Sequence, residues 1–132
     1  MIFPYLTFTN TIRRPIIEII IKTDKNFAIY PVLIDSGADY CIFNVELAKA
    51  LGIKLTKKRT SFRGVGKDKI KGSWGEVEIK LGNHSYSTKV IFAEIADFGH
   101  GILGQQGFFD HFDVKLSYQK QTLEIEPVKT LN

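Results

Sequence analysis

The sequence contains a single cysteine, Cys41, among 132 residues. One thiol cannot form an internal disulfide, so a small secreted domain held together by disulfide bonds is excluded and a reducing compartment is expected. The excess of positive over negative charge is also small, because the formal net charge is only +4. A hydrophobic content of 44% together with this low net charge excludes an intrinsically disordered chain.

Long apolar runs are missing as well. No stretch approaches the ~18 to 20 consecutive apolar residues that a membrane-spanning helix needs. The first ten residues, MIFPYLTFTN, carry no basic segment ahead of a long apolar one, so a secretion signal is not expected. The sequence therefore predicts one soluble, cytoplasmic domain over residues 1–132.

Most of the chain has the pattern of short β-strands separated by turns. Pro15–Lys22 is β-branched and nearly all apolar, which predicts a buried strand, and the turn Thr23–Asn26 leads into a second strand at Phe27–Ile34. These two strands are expected to pair as a hairpin. Further strands are predicted at Ile53–Arg63, Ile70–Leu81, Tyr86–Ala93, Ile102–Gly104, Asp113–Tyr118 and Thr122–Glu126.

Two short helices are predicted between these strands. The first begins after Asn44, whose side chain is suited to cap it, and ends at Gly52. The second spans Gln105–Phe112 in spite of Gly107. Many short strands with only two helices predict an all-β fold built as a closed or folded-over barrel. Met1–Arg14 forms an N-terminal extension of unassigned role, which either adds an edge strand or blocks one.

The most informative segment follows the second predicted strand. An apolar run ending at Ile34 delivers a carboxylate at Asp35, and Ser36 and Gly37 come next. This context puts Asp35 at the mouth of a buried strand, and Gly37 permits a tight turn that another backbone can approach. By itself, Asp-Ser-Gly also fits an ordinary type I turn or a strand-end cap, where these residue types are common.

Two further elements follow in the sequence. They are a glycine-flanked hairpin tip, Gly64-Val65-Gly66, and the short strand Ile102-Leu103-Gly104. Together with the loop that begins at Asp35, they occur in the order and at the spacing of the retropepsin-like aspartic proteases. The chain resembles this family from about Pro15 to Ile125. The resemblance implies an acid-protease-like barrel with one lobe per chain, and endopeptidase activity without a metal or cofactor.

The resemblance also implies one catalytic aspartate per chain, Asp35. The reaction requires one carboxylate that accepts a proton from water and one carboxylic acid that donates to the scissile carbonyl. In aspartic proteases, two carboxyl groups about 3 Å apart share one proton, because like charges that close cannot both ionise. The second aspartate must therefore come from a second copy of the chain. A twofold-symmetric homodimer acting on a peptide or protein substrate follows.

Neighbouring residues take roles by the same resemblance. Ser36 would hydrogen-bond across the dimer axis, and Gly37 would let the two loops approach while leaving its carbonyl to the substrate. Ala38 would stay small beside the cleft, and Asp39 would meet the substrate backbone.

Two other segments also take roles from the resemblance. The Gly64-Val65-Gly66 tip would fold over an extended peptide, exclude water and donate backbone hydrogen bonds. Ile102 and Leu103 would pack under the Asp35 loop, and Gly104 would make room for it.

The sequence departs from the retroviral pattern at two places. Gln105-Gln106 stands where retroviral enzymes usually carry an arginine followed by Asn or Asp, so Asp39 lacks its usual partner unless Arg13 or Arg14 replaces it. The chain also continues through an extra hairpin, Asp113–Glu126, so the dimer interface is expected to be built differently.

Alternative functions are a catalytically silent retropepsin-like module that binds peptides or partners and, with less support, a basic β-barrel that binds nucleic acid. The second rests on a basic segment that is more simply a solvated face. Ser36 lacks a Gly-x-Ser-x-Gly elbow and a nearby histidine, so it is not predicted as a nucleophile. Cys41 is expected to be a packed thiol. No metal motif fits the spacing of the candidate ligands His84, His100, His111, Asp110 and Asp113. The basic segment comprises Lys54, Lys57, Lys58, Arg59, Arg63, Lys67, Lys69 and Lys71.

Overall fold

A computed structural model describes residues 1–7, 9–63 and 69–129. The predicted hairpin tip Gly64-Val65-Gly66 lies outside the described residues, as do most side chains of the basic segment.

The N-terminal extension forms three short strands, β1 (Ile2–Pro4), β2 (Leu6–Thr7) and β3 (Arg13–Arg14). The β2 and β3 strands pair with each other, antiparallel. The β1 strand instead pairs antiparallel with the last strand of the chain, which itself pairs with the strand before it. The extension therefore adds an edge strand, one of the two outcomes that the sequence left open. The two later strands are β11 (Phe112–Ser117) and β12 (Thr122–Pro127).

A larger sheet begins with the predicted hairpin. Its strands β4 (Ile16–Lys22) and β5 (Phe27–Ile34) pair antiparallel along their whole length. Pro31 lies in the part of β5 that has a partner strand on one side only, which suits a residue without a backbone donor. The other strands are β6 (Ile42–Asn44), β7 (Leu55–Arg63), β8 (Lys69–Leu81), β9 (His84–Ala93) and β10 (Gly101–Leu103).

The larger sheet closes on itself. Its strand order is β4-β5-β10-β6-β9-β8-β7, and β8 also pairs with β4. Six strands therefore form a ring, with β7 outside it. The predicted all-β class is confirmed, and the closed ring accounts for the long, regular pairing of β8 with β9 from Gly72 to Leu81.

The core fills the inside of this ring. Ile17, Ile19 and Ile21 alternate along β4 and are each at most 2% exposed, as the period of two in a strand requires. Aromatic rings of Phe43 and Phe92 meet edge to face at 5.9 Å. A second, smaller apolar cluster consists of Ile42, Ile91, Ala93 and Ile95, with Tyr40, Ile70, Trp74, Phe98 and Ile102 packed against it.

One of the two predicted helices forms. The α1 helix spans Val45–Leu51, the Asn44 side chain accepts from the backbone N–H of Glu46 at 3.1 Å, and Gly52 ends the helix at φ 70°. Both ends match the prediction, since an Asn cap and a left-handed glycine are local signals. With only seven residues, α1 is too short to cross a bilayer, and no other helix in the described ranges is long enough.

The prediction of a second helix over Gln105–Phe112 is wrong. This segment is a series of turns, and Gly107 has φ 103°, outside the helical region. The Asp110 carboxylate accepts from the Gly107 N–H at 3.0 Å, which holds the turn. The apolar residues that suggested a helix, Phe108 and Phe112, are instead buried in the core.

Candidate active site

Asp35 leaves the sheet directly after β5 and is anchored by β10. The β10 strand lies parallel to β5, with Leu103 opposite Ile34, and the Asp35 N–H continues this pairing by donating to the Leu103 carbonyl at 3.0 Å. Leu103 is fully buried, and Ile102 packs on the smaller apolar cluster. The backbone of Asp35 is therefore fixed to the middle of the closed sheet.

The residues that follow, Asp35–Asp39, form a turn that we call the Asp35 loop. The Gly37 N–H donates to the Asp35 Oδ1 at 2.9 Å, and the Ala38 N–H donates to the Asp35 carbonyl at 3.2 Å. This is an Asx turn, in which an aspartate side chain organises its own loop. Asp35 is half-buried, whereas Ser36 and Gly37 are exposed. No donor within the described ranges reaches the Asp35 Oδ2.

Gly104 packs directly beneath the Asp35 loop. A Cβ at this position would lie 2.6 Å from the Ala38 carbonyl oxygen and closer still to that of Tyr40. Backbone atoms cannot give way as a flexible side chain can, so only glycine fits. A Cβ at Gly37 would lie 3.3 Å from the Asp35 Oδ1 and would crowd the carboxylate. Close approach to backbone atoms therefore requires glycine at position 104, whereas at position 37 a Cβ would only be tight against the Asp35 side chain.

Two glutamines follow Gly104 and bind the other side of the loop. The Gln105 N–H donates to the Ala38 carbonyl at 2.8 Å, and the Gln106 N–H donates to the Asp39 carbonyl at 2.9 Å. The Gln105 side-chain Nε2 donates to the Ser36 carbonyl at 2.8 Å. This contact was missed, because the sequence marked Gln105 only as a departure from an expected arginine.

Arg13, one of the two arginines considered as a replacement partner for Asp39, bonds elsewhere. The Arg13 guanidinium donates to the Gln121 Oε1 at 3.2 Å, in the turn between β11 and β12. Asp39 is exposed at the end of the Asp35 loop, and none of the ion pairs among the described residues includes it.

Cys41 is a packed thiol, as predicted, and it also links two segments. It is fully buried, its Sγ donates to the Gln106 carbonyl at 3.4 Å, and it accepts from the Gly104 N–H at 3.4 Å. Burial raises the pKa of the thiol to about 12, while the Gly104 N–H acts in the opposite direction. The neutral Cys41 thiol therefore joins the start of β6 to the end of β10. These two bonds were not predicted from the sequence.

An apolar surface flanks the loop. Tyr40 packs edge to face on Trp74 at 5.4 Å, and both rest on the smaller cluster that contains Ile42. On the other side, a shallow cavity of about 490 Å³ is lined by Ser36, Gln105, Gln106, Phe109 and Asp110. A larger one, about 800 Å³, lies farther off around Trp74 and Gly107. Asp35 lines neither cavity, so the described chain by itself does not enclose the carboxylate.

The predicted absence of a metal motif concerned three histidines and two aspartates. His111 lies 3.7 Å from the Asp110 carboxylate, and His100 approaches only a backbone carbonyl. In the part of the chain that the structure describes, no group of three or more His, Cys, Asp or Glu side chains is placed to hold a metal ion.

The comparisons with known proteins agree with this geometry. The family profile described as aspartyl protease matches residues 24–106, which include the Asp35 loop and Gly104. The chain therefore belongs to the aspartyl proteases, and its fold is retropepsin-like. A search of curated protein sequences found no match.

Two solved structures illustrate the likeness of fold. The retroviral protease-like domain of Ddi1 from Leishmania major superposes with a TM-score of 0.56 at 18% identity, covering 86% of this chain and 90% of that chain. EIAV protease, complexed with the inhibitor HBY-793, superposes with a TM-score of 0.51 at 23% identity, covering 75% of this chain and 88% of that chain. At these identities the likeness concerns the fold alone.

Proposed function

We propose that this protein is an aspartic endopeptidase that hydrolyses peptide bonds as a homodimer, with one Asp35 from each copy. The observation that carries the proposal is the Asp35 carboxylate itself. Its backbone is bonded to Leu103, its Oδ1 accepts from the Gly37 N–H, and its Oδ2 has no donor in the described ranges. We assign this half-buried carboxylate, anchored through its backbone in the middle of the sheet, as one half of a catalytic pair.

The proposed reaction uses the pair as one acid and one base. The ionised Asp35 takes a proton from water as the water oxygen bonds to the scissile carbonyl carbon, and the protonated Asp35 of the second copy donates to the carbonyl oxygen. The tetrahedral intermediate then collapses, the C–N bond breaks, and a proton passes to the leaving nitrogen. Because the pair must hold one proton, activity is expected to follow a bell-shaped pH profile.

The substrate we propose is an extended peptide with apolar side chains. Among the described residues, no donor reaches the Gly37 carbonyl, so it is free to accept from a substrate N–H. Tyr40, which follows the loop, and Ile102 of β10 are partly exposed apolar side chains. Extended peptides gain affinity from main-chain bonds and specificity from the pockets that receive alternate side chains. We assign Ala38, Asp39 and the tip at Gly64-Val65-Gly66 to the same substrate cleft.

The test combines sedimentation velocity with digestion of a peptide library. The Asp35→Asn variant is expected to stay dimeric and to lose at least about 10²-fold in cleavage rate, the usual range for an acid or base group. Asp24→Asn is the matched control, because Asp24 is exposed in the turn at the opposite end of β5. It is expected to cleave like the wild type.

Four outcomes would contradict the proposal. Cleavage that survives in Asp35→Asn, or cleavage by a protein that stays monomeric, rejects the paired aspartates. A dimer that binds peptides without cutting them identifies the silent module instead. Salt-sensitive binding of nucleic acid that is indifferent to Asp35→Asn identifies the basic β-barrel.

A further inference from the structure

Gln105 holds the Asp35 loop at two points. Its backbone N–H donates to the Ala38 carbonyl and its side-chain Nε2 donates to the Ser36 carbonyl, each at 2.8 Å. The two bonds lie on either side of Gly37. The side-chain bond joins residues 69 positions apart in the sequence. One residue just after β10 therefore holds two carbonyl groups of the loop backbone.

The side-chain bond continues to the carboxylate through a single peptide group. The Ser36 carbonyl and the Gly37 N–H belong to the same planar peptide unit, so fixing one end fixes the other. That Gly37 N–H donates to the Asp35 Oδ1 at 2.9 Å. A bond to the carbonyl of a peptide also polarises its N–H and strengthens the bond that the N–H donates. The chain of contacts runs from Gln105 through the Ser36–Gly37 peptide to Asp35.

We propose that Gln105 is a positioning residue that orients the Asp35 carboxylate through this peptide group. The inference rests on the proposed function in that Asp35 is the reacting carboxylate. Glutamine is uncharged, so the contact is independent of pH and places no cation beside the catalytic pair. It differs in kind from an arginine that pairs with Asp39, since its acceptor is the loop backbone itself.

The first test measures the loop and needs no cleavage. Gln105→Glu keeps the length of the side chain but leaves a donor only while the new carboxyl is protonated, below about pH 4.3. In an Asp35→Asn background, which removes the titration of Asp35, the Gly37 amide resonance is followed by NMR against pH. The amide is expected to shift with a midpoint near pH 4 to 5. Gln106→Glu is the control, because the Gln106 side chain makes no hydrogen bond within the described ranges.

A pH-dependent shift of the Gly37 amide resonance that is several-fold larger in Gln105→Glu than in Gln106→Glu supports the inference. Equal shifts in the two variants overturn it, because they would report only a nearby charge. The same comparison with Gln105→Met and Gln106→Met removes the charge altogether. The Gly37 amide is then expected to move only in Gln105→Met.

The second test is kinetic. Gln105→Met is expected to lower kcat about three- to tenfold, the effect of losing one hydrogen bond, and to leave KM within about twofold. Gln105→Glu is expected to match the wild type below about pH 4 and to fall to the level of Gln105→Met once its carboxyl ionises. Gln105→Met with wild-type kcat, or Gln105→Glu that follows the wild type at every pH, rejects the positioning role.

The two tests separate this inference from the proposed function. A Gly37 amide that responds to Gln105 in a protein that never cleaves supports the contact chain and rejects the protease. Normal cleavage with a Gly37 amide indifferent to Gln105 rejects the positioning role alone.

Discussion

The two ends of β5 are closed by loops that each contain an aspartate, and the loops are held in opposite ways. At one end, the turn Thr23–Asn26 bonds only to itself: the Thr23 N–H donates to the Asn26 carbonyl at 2.8 Å, and the Asn26 N–H donates to the Thr23 Oγ1 at 3.0 Å. At the other end, the Asp35 loop bonds to residues about seventy positions later. The turn is held by local bonds, whereas the loop combines a local Asx turn with bonds to distant segments.

This difference explains why the same residue type has different consequences at the two ends. Asp24 is exposed in a turn that would form in any hairpin. Asp35 is held by the Leu103 carbonyl and faces a loop whose carbonyls are bound by Gln105 and Gln106. Rigid placement by distant segments is what a catalytic group requires, because small errors of position lower the rate.

Mixing subunits is expected to lower activity about tenfold. When wild type is mixed with a ninefold excess of Asp35→Asn and allowed to exchange, random pairing leaves about a tenth of the wild-type subunits in wild-type dimers. Activity per wild-type subunit is then expected to fall to about one tenth. The measurement is cleavage rate against mixing ratio, and excess Asp24→Asn should produce no fall. A rate indifferent to excess Asp35→Asn would show that each copy works alone.

A smaller effect is expected on stability when the packing under the loop is broken. Gly104→Ala forces a methyl group against the Ala38 and Tyr40 carbonyls and is expected to cost about 3 kcal/mol of the free energy of unfolding. Thr23→Ala removes only the two local bonds of the Thr23 hydroxyl to Asn26 and is expected to cost about 1 kcal/mol. Urea denaturation of both variants measures the difference. Equal losses would mean that the loop is no more dependent on distant contacts than the turn.

The smallest effect concerns the Cys41 contact and high pH. Burial raises the pKa of the Cys41 thiol from 9.0 to about 12, so below pH 9 both folded and unfolded chains keep it protonated and its contribution to stability is fully present. Between pH 9 and 12 only the unfolded chain ionises. Stability is therefore lost as pH rises, by at most about 1.4 kcal/mol per pH unit.

The measurement is the urea midpoint at pH 8, 9 and 10. Burial also raises the pKa of Tyr86 and Tyr30 above 10.0, so their contributions fall away mainly at still higher pH. In Cys41→Ala, stability at pH 8 is expected to be lower and the decline from pH 9 to 10 shallower. Tyr118→Phe, which removes an exposed phenol, should keep the wild-type slope. An unchanged slope in Cys41→Ala would contradict the buried, neutral thiol.

Sequence reasoning succeeded where the signal was local. The hairpin β4–β5 has the predicted strands and turn, and α1 has the predicted Asn44 and Gly52 ends. It failed at Gln105–Phe112, where apolar residues at helical spacing are buried among aromatic rings while Gly107 adopts a left-handed φ. No local pattern distinguishes such a segment from a short helix.

The sequence by itself determined the all-β class and the family resemblance and singled out Asp35 as the candidate carboxylate, because strand periodicity, caps and the Asp-Ser-Gly motif are contained in neighbouring residues. Only the tertiary structure decided how that carboxylate is held. The resemblance placed Leu103 and Gly104 under the loop, but the bonds from the Leu103 carbonyl and from Gln105 depend on the position of β10 beside β5, and strand pairing between distant residues carries no sequence pattern of its own. For the same reason, only the fold revealed the N-terminal strand on β12 and the two bonds of Cys41.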